Sequence, residues 1–162
     1  MQKITPFLWF DGSAEEAMNF YCSIFKNSKP GTVVRRGDAG PGTKGSATKG
    51  SAITATFQLE GQEFLALNGG PQFKFSPAIS FLVSCETQQE VDDLWEKLSA
   101  DGEKQQCGWL RDKFGVTWQI IPKVLGQLLH ATDARKSQSV MKAMLQMTKL
   151  DIAKLQQAYD QA

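Results

Sequence analysis

Histidine is almost missing from this chain. Its 162 residues include one, His130, which lies in the C-terminal tail. A metal site built from several imidazoles is therefore excluded. Cysteine is scarce as well: Cys22, Cys85 and Cys107 are widely spaced, odd in number and form no CxxC pair. That pattern fits neither a disulfide framework nor a zinc ribbon, and it reads as structural thiols in a reducing compartment. Nothing beside them in the sequence promises a lowered thiol pKa. An excess of either charge is also lacking, since 18 Lys and Arg oppose 17 Asp and Glu for a formal +1. With no long basic run, the electrostatic footprint of a nucleic-acid binder is missing. No apolar stretch approaches the roughly 20 residues that span a bilayer. Met1–Lys3 leads straight into an apolar strand, without a signal-peptide pattern. The expectation is a cytoplasmic protein with no nucleic-acid or membrane partner.

What the chain does have is a faint duplication. Ile4–Phe10 is an apolar strand, followed by Ser13-Ala-Glu-Glu16, which reads as a capping box. Ala14, Ala17, Met18, Tyr21, Ile24 and Phe25 then recur at the spacing of one helical face. The second half repeats this order. Ala78–Cys85 is apolar, Thr87-Gln-Gln-Glu90 is again a capping box, and Val91, Leu94, Trp95 and Leu98 form the stripe that Asp101-Gly102 ends. Strand material follows each helix: Gly31–Arg36, Ile53–Leu59 and Glu63–Leu67 in the first half, then a piece near Lys104–Cys107, Trp109–Lys113 and Val116–Ile121 in the second. The pattern predicts an α+β fold of two βαβββ modules, about 1–70 and 77–122, forming one curved, cupped sheet with helices outside.

Between the second and third strands, Gly37–Ser51 contains TKGSA in tandem. It lacks the Gly-Lys-Ser/Thr ending of a phosphate loop and no helix follows, so a hairpin loop, with a lid role as a weaker option, outweighs an anion cradle. After Pro122 the tail reads as helices: Lys123–Leu129, a stripe of Val140, Met141, Met144 and Leu145, and a last helix capped by Asp151. Residues 1–122 are expected to form the domain, and 123–162 a helical extension. The segment CGWLRDKFGVTWQIIP, 107–122, reads as a hairpin around Asp112–Gly115. One face of its second strand carries Val116, Trp118 and Ile120; the other carries Thr117, Gln119 and Ile121.

This doubled pattern resembles the vicinal oxygen chelate superfamily, which includes glyoxalase I, extradiol dioxygenases and fosfomycin-resistance proteins. More narrowly, ITPFLWFDGSAEEAMNFYCSIF, ITATFQLEGQEFLALNGGPQFKFSPAISFLVSC, CGWLRDKFGVTWQIIP and the tail MKAMLQMTKLDIAKLQQAY are similar to the PhnB-like group. That group is often described as 3-demethylubiquinone-9 3-methyltransferase. In metal-using relatives four ligands, typically His, Gln or Glu, face into the cup. The resemblance places them near Thr5, near Ser80, at Gln119 and on Glu63–Asn68, where Leu65 or Leu67 is the occupant and Asn68 the nearest alternative. A divalent ion needs deprotonated oxygens or imidazoles, so the resemblance implies a metal-free member with no cofactor. Methyl transfer on a doubly wound sheet would need a glycine-rich βα turn, whereas Asp11-Gly12-Ser13 has a single glycine.

Alternate residues share a strand face. The candidate cup lining is therefore Thr5, Phe7, Trp9, Asn68, Ser80, and Trp118 or Gln119, with the resemblance favouring Gln119. Aromatic walls with a few polar groups suit a small organic ligand. The same side chains would also fill a closed core, which would leave an interaction or scaffold protein. Asn68-Gly69 is by default a turn, and Glu60, Glu63 and Asp112 read as solvated turn residues. Trp109 and Arg111 flank the last turn, where surface stacking outweighs carboxylate recognition. No paired carboxylates and no nucleophile–base signature appear, so the sequence does not decide between an enzyme and a binding protein. Family resemblance and the methionine-rich tail imply a homodimer.

Overall fold

The computed structural model describes residues 2–37 and 50–162. The TKGSA repeats fall for the most part outside the described residues, and the lid reading goes with them. The chain divides into two compact units, Met1–Phe75 and Ser76–Ala162.

The first unit contains β1 (Phe7–Phe10), α1 (Ala14–Ile24), β2 (Ser28–Arg35), β3 (Ala52–Leu59) and β4 (Gln62–Asn68). Its sheet has the order β1-β4-β3-β2, in which β1 pairs parallel with β4 and the others pair antiparallel. Alternation decides what is buried. Leu8 and Phe10 of β1, Ala55, Phe57 and Leu59 of β3, and Phe64 and Ala66 of β4 face the core. Ala14, Ala17, Met18, Tyr21 and Ile24 form the buried stripe of α1. The rings of Phe57 and Phe64 stack at 5.3 Å, and each such side chain contributes about 1.5–3 kcal/mol by leaving water. The expected capping box at Ser13 is absent: its side chain caps nothing. The Ala14 N–H instead donates to Asn68 Oδ1 at 2.9 Å, so the end of β4 supplies the cap.

The second unit repeats the order with β5 (Phe81–Cys85), α2 (Gln88–Leu98), β6 (Glu103–Lys104), β7 (Trp109–Arg111) and β8 (Thr117–Pro122). Its sheet order, β5-β8-β7-β6, matches the first position by position. The duplication is thus real, and each module forms a four-stranded sheet of the same order. Here the Thr87 half of the cap forms as predicted, and the Glu90 carboxylate reaches one residue further back than the N-cap. Thr87 Oγ1 accepts the Glu90 N–H at 3.2 Å, while Glu90 Oε2 accepts the Glu86 N–H at 2.7 Å.

Three helices close this unit: α3 (Lys123–Leu129), α4 (Ala134–Leu145) and α5 (Ile152–Asp160). Leu125, Leu128, Val140, Leu150 and Leu155 form their shared core, and Ile121 of β8 packs against it. The tail is fastened at two places. The N–H groups of Cys107 and Gly108 donate to the Met147 and Thr148 carbonyls at 2.9 and 2.7 Å. The Gln88 amide donates to the Leu150 carbonyl at 3.1 Å and accepts the Ile152 N–H at 2.8 Å.

Candidate ligand site

In the first unit Phe7 and Trp9 lie opposite Leu65 and Leu67 in the parallel register, on the sheet face turned away from α1. Thr54 and Thr56 extend this face across β3. Phe7 keeps 53 % of its surface exposed and Trp9 is half-buried. Thr5 is half-buried just before β1. Trp9 is held in place: its indole N–H donates to the Gly70 carbonyl at 2.9 Å, and Phe73 meets it edge-on at 5.0 Å. A Cβ on Gly69 would lie 2.2 Å from the indole ring, so the ring needs the glycine to lie where it does. Asn68, a candidate ligand position, is spent structurally. Its Oδ1 caps α1 and its Nδ2 donates to the Ala52 carbonyl at 3.0 Å.

In the second unit Gln119 lies in a row with Leu82 on β5 and Trp109 on β7. Cross-strand partners share a face, so one polar amide stands between two apolar neighbours. Its Nε2 donates to Ser80 Oγ at 2.9 Å, joining two residues 39 apart that the sequence had only placed on similar strands. Arg111 lies on the same face opposite Thr117 and pairs with Glu103 at 2.6 Å.

Trp118 does not line this face. It is 2 % exposed on the opposite side of β8, where its indole N–H donates to Asp112 Oδ2 at 2.9 Å. Asp112 is likewise not a solvated turn residue. It is 2 % exposed, and its Oδ1 accepts the N–H groups of Phe114 and Val116 at 2.9 and 3.0 Å. A carboxylate six residues before an indole was visible in the sequence; that the turn folds one onto the other was not.

Two of the thiols are held back from ionising. Burial, with Glu90 adding repulsion, pushes Cys85 up to about 12, and burial also raises Cys22. Neither forms the thiolate that nucleophilic or metal-binding chemistry requires.

The sequence profile of the family described as 3-demethylubiquinone-9 3-methyltransferase matches residues 2–121. The chain belongs to this family. A solved relative, a putative 3-demethylubiquinone-9 3-methyltransferase (PhnB protein) from Bacillus cereus, is 43 % identical. That match covers 75 % of this chain and 99 % of the relative, with a TM-score of 0.66. A Pseudomonas aeruginosa protein shares the fold at 20 % identity and a TM-score of 0.63, covering 75 % of this chain and 98 % of its own. The fosfomycin-resistance protein FosX of Listeria monocytogenes does so at 15 % identity and a TM-score of 0.50, covering 78 % of this chain and 97 % of its own. None of the curated proteins matches. The architecture is therefore the glyoxalase-like fold. The family match ends one residue before the last of β8, so α3, α4 and α5 lie beyond it.

The divalent metal that the resemblance to the vicinal oxygen chelate superfamily implies does not fit the residues here. Thr5 and Ser80 offer neutral hydroxyls and Leu65 and Leu67 no donor, while both polar atoms of the Asn68 amide are engaged. Gln119 is an amide tied to Ser80. Among the described residues no three His, Cys, Asp or Glu side chains gather into a possible ion site. Neutral oxygens do not offset the dehydration of a divalent ion.

Proposed function

We propose that this family member binds a small organic molecule without a divalent metal. The observation that supports this reading is the Gln119–Ser80 hydrogen bond at the superfamily's ligand places. Where a carboxylate would hold an ion, an amide donates to a hydroxyl, and neither group carries a charge. The apolar neighbours Leu82 and Trp109 suit an organic ligand body. Methyl transfer, which the family's description carries, finds no support in the turn after β1, where Asp11-Gly12-Ser13 lacks the glycine-rich cradle.

The test is elemental analysis after dialysis against chelator, with a metal titration of the wild type and of Gln119→Glu. Neither protein should hold stoichiometric metal, because one carboxylate alone does not build an ion site. A stoichiometric zinc, nickel or iron retained by the wild type would overturn the reading.

We also propose that the chain works as a cytoplasmic homodimer. The exposed Phe7 and Leu82, at 53 % and 56 %, support a partner for these sheet faces, and the three free thiols suit a reducing compartment. No helix of the described residues is long and apolar enough to cross a membrane. Light scattering should give twice 17.9 kDa at micromolar concentration; a monomer would refute the dimer.

A further inference from the structure

We infer that the Ser80–Gln119 pair selects a neutral ligand group with a donor beside an acceptor, such as a carboxamide or hydroxy-carbonyl, on an apolar body. This deepens the metal-independent reading and rests on it. The argument starts from which atoms are already used. Gln119 Nε2 donates to Ser80 Oγ at 2.9 Å, and in this orientation the amide oxygen is turned away from the hydroxyl. Its Oε1 has no other partner among the described residues, and neither has the Ser80 hydroxyl hydrogen. An amide carries two donors and one carbonyl acceptor; a hydroxyl donates one proton and accepts. The pair therefore presents an acceptor at Gln119 Oε1 and a donor at Ser80 O–H, side by side.

The surroundings narrow the class. Leu82 and Trp109 flank Gln119 in its row, so the polar pair sits between apolar walls. Two charges on this face, Arg111 and Glu103, are bound to one another at 2.6 Å. A carboxylate would bring its lone pairs against Gln119 Oε1, with the Arg111 guanidinium already paired. A carboxamide would place its N–H on that oxygen and its carbonyl on the Ser80 hydroxyl. A half-buried acceptor left unpaired is penalised, which is how such a pair discriminates.

Three probes with one ring separate the cases: 1-naphthamide, 1-naphthoate and 1-naphthylmethylammonium, titrated calorimetrically into the full chain. Naphthamide should bind about tenfold or more tightly than either ion. Gln119→Met keeps the length and removes the hydrogen bonds; it and Ser80→Ala should each weaken naphthamide about tenfold. Gln119→Glu places a charge on the face and should turn the preference to the ammonium probe. If Gln119→Met lowers the melting point, Ser80→Ala and Gln119→Glu carry the test. Equal or tighter naphthoate binding would show the amide turned with its NH2 outward and would overturn the inference. So would naphthamide binding that ignores all three substitutions, or no binding of any probe. A metal titration on the same protein keeps the two readings apart. Stoichiometric metal would sink the metal-independent site itself, whereas its absence together with any of those outcomes would sink the selectivity alone.

Discussion

In the first unit β2, β3 and β4 run eight, eight and seven residues; their counterparts β6, β7 and β8 run two, three and six. The strand order is the same, so the order does not depend on ladder length. What replaces the missing ladder in the second unit is side-chain chemistry. The first unit turns from β3 into β4 at Glu60-Gly61, and both residues are exposed. The second turns from β7 into β8 around Asp112, a buried carboxylate that gathers two backbone N–H groups and an indole. The helix caps differ in the same sense. Asn68 reaches α1 from 54 residues away, whereas α2 is capped by its own Thr87. A long sheet can hold a distant cap in position; a short one does better with local fasteners and three added helices.

Cutting the buried fastener should have the largest effect. Asp112→Ala leaves two backbone N–H groups and the Trp118 indole N–H without this acceptor in a buried place, and should cost about 3–5 kcal/mol in urea unfolding. Glu60→Ala at the corresponding exposed turn should change stability by less than about 1 kcal/mol. Equal losses at the two turns would erase the distinction drawn between the units.

Next comes the seat of Trp9. Gly69→Ala would force the indole off the backbone and break its bond to the Gly70 carbonyl. The expected loss is about 1–3 kcal/mol, with a red-shifted tryptophan emission as Trp9 meets water. An unchanged spectrum would show that the turn yields and the ring stays.

The caps should differ more gently. Asn68→Ala removes a helix cap and a bond to β3, for about 1–2 kcal/mol; Thr87→Ala should stay near 1 kcal/mol, since Glu90 still reaches the Glu86 N–H. A larger loss at Thr87 would reverse the ranking of distant and local caps.

The smallest effect is the ion pair of Lys149 and Asp92, which are 2.8 Å apart and 37 % and 39 % exposed. The hydrogen bond from Lys149 is the main cause holding Asp92 below the ordinary carboxylate value, and the same bond raises Lys149. Solvent limits the pair to at most about 1 kcal/mol. The lowered carboxyl stabilises above its unfolded pKa of about 4 and loses that effect as pH falls through its folded value. The raised ammonium stabilises below about 10.4 and loses its effect as pH rises through its folded value. The stability gap between wild type and Lys149→Met should therefore hold from pH 5 to 9, close below about pH 4, and shrink in high salt. A gap that widens in acid would contradict this.

The helices, their buried stripes and the doubled strand order were legible because periodicity and capping residues are local signals. Strand ends were less so. Apolar residues precede Phe7 and Phe81, but the paired register begins only at those two residues, and register ends a strand where hydropathy does not. Ser13 carries a capping-box pattern that loses to Asn68, a competitor far along the chain. Asp112 looked like a surface turn residue because its partners are defined only once the hairpin closes. In the candidate site, alternation put Phe7 and Trp9 on one face, while the choice of Gln119 over Trp118 came from the resemblance. Trp118 went to the other face by the same rule, once β8 was seen to bury it. The bond from Gln119 to Ser80 belongs to the register between β5 and β8, which no short-range pattern encodes.

The junction at Cys107 and Gly108 has a consequence for how the chain can be lengthened. Both residues have positive φ, 59° and 82°, and a Cβ on Gly108 would lie 2.8 Å from the Ile120 carbonyl. Their two successive N–H groups turn out of the sheet before β7 begins and plug into the carbonyls of Met147 and Thr148. The three terminal helices thus attach to donors that no strand was using. A chain stopping where the family match stops would keep the β6–β7 and β7–β8 pairings and all of β5–β8 but its last pair, Cys85 with Pro122, and hand these two amides to water. The helices bring a hydrophobic nucleus of their own, into which Ile121 of β8 packs, and their coupling through Cys107 and Gly108 takes no bond from the ladders of the sheet.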